Sequence, residues 1–379
     1  MRFLISAGEA SGELYGAGIM NALGRRVPGA EFFGVGGHKM REAGFDSVVD
    51  AHAISVVGLA EVVTHLPMIR REFKRLVAEA AARKPDAAIL IDFPDFNLRL
   101  ARELHKLGIP VIYYVSPQLW AWRQGRIRQV QKYVRKMLVI FPFEKEFYAK
   151  HGVEVEYVGH PLGDEALPTA SREEFAAENK LNPEKTWIAL LPGSRRKEFS
   201  LNFAGIMDAA NMLGEKYEYV LPVASSLDPA WVKQQFSHRR STDVPAHRVS
   251  DAVQALQHSR AAIVASGTAT LQATLIGTPF VMVYRVTPLT YLLGRRLVKL
   301  SLFAMPNLIA GREIIPEFVQ KDFKGEQVAD KVKELVPDSA MRIQMLDDMA
   351  EVRKKLQLRD NSTAAEKAAN AVLSAIKCG

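Results

Sequence analysis

The stretch Ile263-Val-Ala-Ser-Gly-Thr-Ala-Thr-Leu-Gln-Ala-Thr-Leu-Ile-Gly-Thr-Pro279 decides the fold of this chain. Residues 261–265 are small or β-branched and uncharged, which predicts a short buried strand. Residues 269–276 predict a helix that is stopped by the Gly-Thr-Pro after it. Because a helix N-terminus attracts anions, the turn between them predicts a phosphate-binding site, and an ordinary capped turn is the alternative. The turn consists of Ser266, Gly267 and Thr268.

Strands alternate with amphipathic helices on both sides of this stretch. Further strands are predicted at residues 3–7, 31–35, 87–91, 111–115, 137–141, 155–158, 187–191, 219–222 and 281–284. Repeated strand–helix winding predicts an α/β protein with two doubly wound, Rossmann-like domains of parallel sheet that face each other across a cleft. The predicted domains span residues 1–165 and 186–345. A helical segment at 346–379 follows, which packs either on the N-terminal domain or on a partner subunit.

The composition is that of a folded protein that attracts anions. Hydrophobic residues make up 48% of the chain, and 50 basic residues against 42 acidic ones give a net charge of +8. Such an excess favours phosphorylated substrates, nucleic acid or an anionic membrane surface, without choosing among them. The single Cys378 excludes a disulfide framework. No signal peptide or membrane-spanning stretch is predicted, so we expect a cytoplasmic protein.

The loops predicted after strands of the first domain carry polar residues. In the first loop, glycines allow a ligand to approach, and the side chains can hydrogen-bond hydroxyl groups. This loop contains Gly8, Glu9, Ser11, Gly12 and Glu13. In the second, Asp92 ends a strand beside Phe93, an apolar setting that favours a general base with a raised pKa. Asp95 offers a second carboxylate in the same loop, and the alternative is that Asp95 or Asn97 caps the next helix.

A third loop contains Trp120 and Trp122, which predict either a platform for a sugar or acyl chain or a local structural plug. The run from residue 123 to residue 136 carries six basic residues and no acidic one. It is either a solvated helix face or a site for an acceptor phosphate. Two apolar stretches, 54–69 and 291–303, are edged by Lys and Arg, which is typical of an anionic bilayer interface or of a buried helix with a basic outer face.

The second domain offers a second phosphate-facing loop. Gly193 and Ser194 follow a predicted strand and provide backbone donors, and Arg195 provides a bidentate fork for phosphate. Asn307 lies in a third polar loop. No metal-ligand spacing occurs among the scattered histidines, so neither a metal nor a cofactor is expected.

Taken in order, these motifs resemble the lipid-A-disaccharide synthase family nearly end to end. Individually they are weak, but their order and spacing are specific. They are Gly8-Glu-Ala-Ser-Gly12, Gly34-Val-Gly-Gly37, Asp92-x-Pro-Asp-Phe-Asn97, Val115-Ser-Pro-Gln-x-Trp-Ala-Trp122, Pro142-Phe-Glu144, Gly159-His-Pro161, Leu190-Leu-Pro-Gly-Ser-Arg195, Ala265-Ser-Gly-Thr-Ala269 and Pro306-Asn-Leu308.

The resemblance implies an inverting glycosyltransferase of the GT-B fold. Its donor would be UDP-2,3-diacylglucosamine and its acceptor 2,3-diacylglucosamine 1-phosphate (lipid X). The enzyme would need no metal and would bind peripherally to the cytoplasmic face of the inner membrane, and members of the family can form homodimers. Asp92 would be the base, with Glu13 as a second catalytic carboxylate. UDP would be held by Arg195, Asn307 and the two phosphate-facing turns. The acceptor would meet the first loop, Asp95, Asn97 and the two tryptophans.

One residue departs from the family pattern. Where a ribose-binding Glu is expected, this chain has Gln272, and an amide loses the charge-assisted part of that hydrogen bond. Other UDP-sugar enzymes of the same fold, a muramyl-lipid N-acetylglucosaminyltransferase or a 2-epimerase, are the nearest alternatives. A non-catalytic protein that binds anionic membranes or nucleic acid is an alternative from another class. A non-catalytic binding function does not explain why Asp92 follows a strand directly, and no nucleic-acid partner is expected.

Overall fold

The computed structural model describes residues 1–54, 59–164, 167–237, 243–288, 290–292, 301–358 and 362–377, without the side chains of residues 10 and 59–65. The chain divides into two compact units. The first comprises residues 1–164 and 356–379, and the second residues 165–355. The helix Ala340–Leu356 spans the predicted boundary at residue 346 and belongs almost wholly to the second unit.

The first unit is built on a seven-stranded, wholly parallel sheet. Its strands are β1 (Arg2–Ala7), β2 (Glu31–Gly36), β3 (Asp46–Asp50), β4 (Ala87–Ile91), β5 (Val111–Tyr114), β6 (Lys136–Val139) and β7 (Val155–Tyr157). They lie in the order β3-β2-β1-β4-β5-β6-β7. The β4 strand is buried along its whole length, which explains its uninterrupted run of apolar residues.

Helices cover this sheet. Among the described residues, seven come from the same part of the chain: Ala10–Arg26, His38–Glu42, Ala51–Ile54, Leu59–Arg83, Pro94–Lys106, Ile127–Tyr133 and Pro142–Ala149. One more, Ala364–Lys377, packs against the helix Ala10–Arg26 and against β4, β5 and β6. Its buried face consists of small apolar residues, and the Asp164 carboxylate accepts a hydrogen bond from the Ala364 N–H at 2.6 Å. The helical segment therefore completes the first unit of its own chain.

The second unit contains a six-stranded parallel sheet. Its strands are β8 (Thr186–Leu191), β9 (Tyr217–Pro222), β10 (Ala246–Val249), β11 (Ala261–Ala265), β12 (Phe280–Tyr284) and β13 (Glu317–Val319), in the order β10-β9-β8-β11-β12-β13. The helices around it are Arg172–Asn179, Arg196–Leu213, Pro229–Ser237, Ala252–His258, Thr268–Ile276, Met305–Ala310, Gly325–Leu335 and Ala340–Leu356. The predicted architecture of two parallel sheets with helices and a helical C-terminal segment is confirmed.

Each sheet reverses its winding direction at one place. In the first, β2 and β3 lie on one side of β1, whereas β4 and the later strands lie on the other. In the second, the reversal falls between β8 and β11. At such a point the two flanking loops run in opposite directions and leave a crevice beyond the carboxyl ends of the strands. The four flanking loops are those that begin at Gly8, Asp92, Pro192 and Ser266.

Two sequence predictions fall partly outside the described residues. The apolar stretch 54–69 includes the undescribed residues 55–58, and the stretch 291–303 includes residues 293–300. Cys378 also lies outside them. Among the helices that the structure describes, none has the length and apolar character needed to cross a bilayer.

Candidate active site

Asp92 lies in a strained turn directly after β4. Its φ is 45° and that of Phe93 is 49°, so two consecutive residues with side chains adopt the left-handed conformation. This conformation costs roughly 1–2 kcal/mol for an ordinary residue, and bulky residues rarely adopt it. Strain of this kind persists where the surrounding structure enforces it, and it clusters at functional sites.

The side chain of Asn97 stabilises this turn through hydrogen bonds to its backbone. Its Nδ2 donates to the Asp92 carbonyl at 2.8 Å and to the Ile91 carbonyl at 3.1 Å, and its Oδ1 accepts from Ser6 Oγ at 2.7 Å. The side chain is completely buried. It therefore joins the end of β1 to the end of β4 and supports the turn, whereas the sequence predicted either contact with the acceptor or a cap of the next helix.

Tyr113 is a second support, and the sequence analysis did not identify it. From β5 its hydroxyl donates to the Asp92 carbonyl at 2.6 Å. Burial raises the pKa of the Tyr113 phenol well above its ordinary value, and the negative charge of Asp92 acts in the same direction. The hydroxyl consequently stays protonated and remains a donor at any working pH.

The loop after β1 packs closely against these groups. A Cβ added to Gly8 would lie 2.5 Å from the Phe93 ring, so the glycine makes room for Phe93 rather than for a ligand. Glu13 is 7% exposed, and its carboxylate lies against the backbone of Gly37, where an added Cβ would be 2.0 Å from Oε1. Of the remaining predicted residues, Glu9 and Ser11 are half-buried and Gly12 is buried.

The loop after β5 is strained too, because β-branched Val115 has a φ of 64°. Farther along it, the Trp120 ring meets Phe143 edge-on at a centroid distance of 5.1 Å, and its indole N–H acts on the buried Glu144 carboxyl group. Trp122 is half-buried beneath the Arg123 guanidinium, which lies 4.3 Å from its ring centroid. Both tryptophans are half-buried, so the platform for a sugar or acyl chain and the structural plug both stay predictions.

Glu144 anchors the next loop. Its buried carboxylate caps the helix Pro142–Ala149 by accepting the N–H groups of Phe141 and Ile140, at 3.0 and 3.2 Å. Burial raises the Glu144 pKa to about 8, and these hydrogen bonds oppose the rise. The carboxyl group thus fixes the backbone at residues 140 and 141, directly before this helix.

In the second unit, the loop after β8 requires glycine at position 193. Gly193 has a φ of 121°, and an added Cβ would lie 2.7 Å from the Cβ of Glu198. Arg195 precedes the first residue of the helix Arg196–Leu213, keeps half of its side chain exposed, and donates to Glu198 at 3.1 Å. Ser194 is exposed. Backbone and guanidinium donors therefore meet at a helix N-terminus, as a phosphate site requires.

Asn202 ties this loop to its neighbour, and the sequence analysis did not identify it. Its Nδ2 donates to the Pro192 and Glu198 carbonyls, at 3.3 and 2.9 Å, and its Oδ1 accepts from the Arg285 N–H at 3.0 Å. It is completely buried. An Asn seven residues beyond Arg195, on the inner face of the helix that follows the polar loop, is the signal that could have identified it.

The turn after β11 is open. Gly267 has a φ of 145°, and the space that its Cβ would occupy is empty to 4 Å. Ser266 donates its N–H to the Val283 carbonyl at 2.9 Å, and exposed Thr268 begins the helix Thr268–Ile276. Gln272 follows one turn later on the same side of the helix and is half-buried. An anion can therefore approach this backbone closely.

Asn307 lies beneath the third polar loop rather than at its surface. Its Oδ1 accepts the N–H groups of Ile314 and Ile315, both at 2.8 Å, and its Nδ2 donates to Glu317 at 2.7 Å. The side chain is completely buried. The sequence predicted a contact with UDP, whereas the structure places the amide inside the protein as a support for this loop.

No group of three or more His, Cys, Asp or Glu residues is arranged to hold a metal ion in the part of the chain that the structure describes.

Comparisons with known proteins identify the family and the fold. The family model described as lipid-A-disaccharide synthetase matches residues 3–372. A lipid-A-disaccharide synthase of Koribacter versatilis is 56% identical over 99% of this chain and 98% of its own length. The glycotransferase of kitacinnamycin has a similar fold, with a TM-score of 0.63, 12% identity and coverage of 99% and 98% of the two chains. The S. aureus MnaA–UDP co-structure gives a TM-score of 0.66 at 12% identity, over 99% and 96%. The fold is thus GT-B, and the chain belongs to the lipid-A-disaccharide synthetase family.

Proposed function

We propose that this protein transfers the sugar of UDP-2,3-diacylglucosamine to 2,3-diacylglucosamine 1-phosphate, which gives the β-1,6-linked disaccharide 1-phosphate and UDP. The observation that carries the proposal is the strained Asp92 turn at the winding reversal of the first sheet, held there by Asn97 and Tyr113. Membership of the synthetase family supports it.

In this reaction Asp92 acts as the general base. It takes the proton from the 6-hydroxyl of the acceptor as that oxygen forms a bond to the anomeric carbon of the donor. The bond from this carbon to the UDP oxygen breaks on the opposite face, so the configuration inverts and UDP leaves with the bonding electrons. Asp92 is half-buried next to Phe93, in the turn that Asn97 and Tyr113 hold.

The second unit binds the nucleotide. Arg195 and the Gly193–Ser194 backbone hold the diphosphate and stabilise the charge that develops on it. The turn of Ser266, Gly267 and Thr268 contributes further N–H groups at its open helix N-terminus. Gln272, one turn along the same helix, hydrogen-bonds the ribose.

Gln272→Glu is expected to tighten UDP binding by about fivefold, because a hydrogen bond to a carboxylate is roughly twice as strong as one to an amide. Calorimetric titration with UDP measures the change. Gln234→Glu adds the same charge at an exposed position of the second unit and serves as the matched control. Equal affinity in Gln272→Glu and the wild type would mean that residue 272 does not contact the ribose.

Turnover of the two purified acylated sugars tests the function directly. We expect UDP to be released only when both sugars are present, and at the same rate with and without EDTA, since the proposed mechanism uses no metal. No UDP release from this pair would reject the function. A rate that EDTA abolishes would reject the metal-free mechanism alone.

The acylated substrates require access to a lipid surface, and we infer peripheral binding to an anionic bilayer at the cytoplasmic face of the inner membrane. The helix Leu59–Arg83 supports this, since it presents exposed Arg70, Arg71, Lys74 and Arg75. Flotation with anionic vesicles but not with neutral ones is the expected result. Binding to RNA in place of vesicles would contradict the proposed membrane binding.

We also propose, from the family resemblance, that the protein forms a homodimer. Light scattering measures its oligomeric state.

A further inference from the structure

Two arginines converge on one carboxylate oxygen beside the proposed base. The Oδ1 of Asp95 accepts a hydrogen bond from Arg123 Nη1 at 3.0 Å and another from Arg126 Nη2. Asp95 is exposed in the first turn of the helix Pro94–Lys106, and the arginines come from the start of the basic run. Two guanidinium groups that touch the same oxygen lie side by side.

Arg123 and Arg126 have more hydrogen-bond donors than the contact with Asp95 uses. Each guanidinium has five N–H donors in a fixed planar fork, and the contact with Asp95 uses one of them. The other described partner is the Trp122 ring, over which Arg123 stacks. Two positive charges face one negative charge, so the cluster keeps a net charge of +1. A phosphate monoester carries about −1.5 to −2 at pH 7 and fits such forks bidentately.

The cluster is also close to Asp92. Arg126, Asp95 and Asp92 all act on the charge of the buried Tyr113 phenol, and the hydroxyl of Tyr113 binds the Asp92 carbonyl directly. An anionic group held by the two arginines is therefore positioned at the same edge of the sheet as the proposed base. Arg126 is only 20% exposed on its side chain, which limits the competition from water for its donors.

We propose that Arg123 and Arg126 form the binding site for the phosphate of the acceptor sugar. The Asp95 carboxylate holds the two guanidinium groups in position before the phosphate binds. The inference rests on the proposed function for the identity of the acceptor. It makes the two arginines specificity-determining residues that select an acceptor with a 1-phosphate over one with a free 1-hydroxyl.

A solvated helix face is the alternative explanation of the basic run, and the run supplies its own control. Arg128 is exposed two residues after Arg126 and makes no described contact with Asp95. If general positive charge were responsible, Arg128→Ala would weaken the acceptor as much as Arg126→Ala does. If the fork is responsible, only Arg126→Ala will do so, and Arg126→Lys, which keeps the charge but loses the fork, will not restore binding fully.

The experiment measures binding and turnover of the acceptor with and without its 1-phosphate, in neutral detergent micelles that contain no anionic headgroup. Arg126→Ala should raise the KM and the dissociation constant of the phosphorylated acceptor about 10- to 100-fold, the range for a lost charge-assisted pair. The constants for the dephosphorylated acceptor and for UDP should not change. Inorganic phosphate is added as a competitor, and weak competition that disappears in Arg126→Ala supports the same site.

Two results would overturn the proposal. One is an equal loss of affinity for both acceptors in Arg126→Ala, which would indicate a purely structural role. The other is wild-type affinity for the phosphorylated acceptor in that variant. Because binding is measured separately from turnover, selective binding without any UDP release would support the phosphate site while rejecting the proposed function.

Discussion

Asp92→Asn is expected to lower kcat by about 10²- to 10⁴-fold, the contribution usual for a general base, while the dissociation constant of UDP stays unchanged. The substitution removes the charge but keeps the shape of the side chain. Asn tolerates the left-handed backbone at least as well as Asp, so the turn with its φ of 45° should persist. The loops that we propose for the nucleotide belong to the other unit, so binding and catalysis should separate.

The matched control for this variant lies at the opposite end of the same strand. Asp86 precedes β4 at its amino end, where its carboxylate accepts a hydrogen bond from the Arg2 N–H at 2.7 Å. Asp86→Asn is expected to turn over at nearly the wild-type rate, because ligands of such sheets bind beyond the carboxyl ends of the strands. Initial rates of UDP release and calorimetry with UDP measure both properties. A wild-type kcat in Asp92→Asn would remove Asp92 from the role of base.

Arg195→Ala is expected to lower kcat/KM by about 10²-fold and to weaken UDP binding in parallel, because a bidentate guanidinium contact with a diphosphate is lost. Arg195 is half exposed at the N-terminus of a long helix, and it donates a hydrogen bond to Glu198 within the same turn. The effect on kcat should exceed that on UDP affinity, since negative charge grows on the diphosphate as the sugar leaves.

The neighbouring residue provides the comparison. The guanidinium of Arg196 lies 4.8 Å from the ring centroid of Trp231, so it is engaged in packing and points to a different partner. Arg196→Ala should keep its affinity for UDP and its kcat/KM within about twofold of the wild type, as surface substitutions usually do. Unchanged kinetics in Arg195→Ala, or equal losses in the two variants, would contradict the assignment of Arg195 to the diphosphate.

The strands of both sheets were predictable because each buried strand is a short apolar run, a property of the local sequence. Thus the predicted strands at 87–91 and 261–265 match β4 and β11 residue for residue. Three short strands were missed: β3, β10 and β13. Their residues are polar or partly exposed, so the apolar signal is absent. Strand order was not predictable either, since it depends on contacts between distant parts of the chain.

The positions of the candidate loops directly after strands were predictable, but the burial of two of their amides was not. Asn97 and Asn307 have the polarity of ligand-binding residues, and the structure buries both completely under the loops they support. Polarity alone does not distinguish a surface amide from a buried one with all its hydrogen bonds made. The left-handed turns at Asp92 and Val115 were equally unpredictable, because local preference opposes them and only the surrounding contacts enforce them.

The return of the helix Ala364–Lys377 to the first unit has a consequence for the order of events during synthesis. The Asp164 carboxylate that receives the Ala364 N–H is separated from it by 200 residues, a span that contains the whole second unit. The ribosome therefore releases the first sheet long before the helix that covers β4, β5 and β6 exists. In the interval the second unit can fold, while the first sheet keeps an apolar surface uncovered. This is the period in which the new chain is most prone to aggregate and has most need of chaperones.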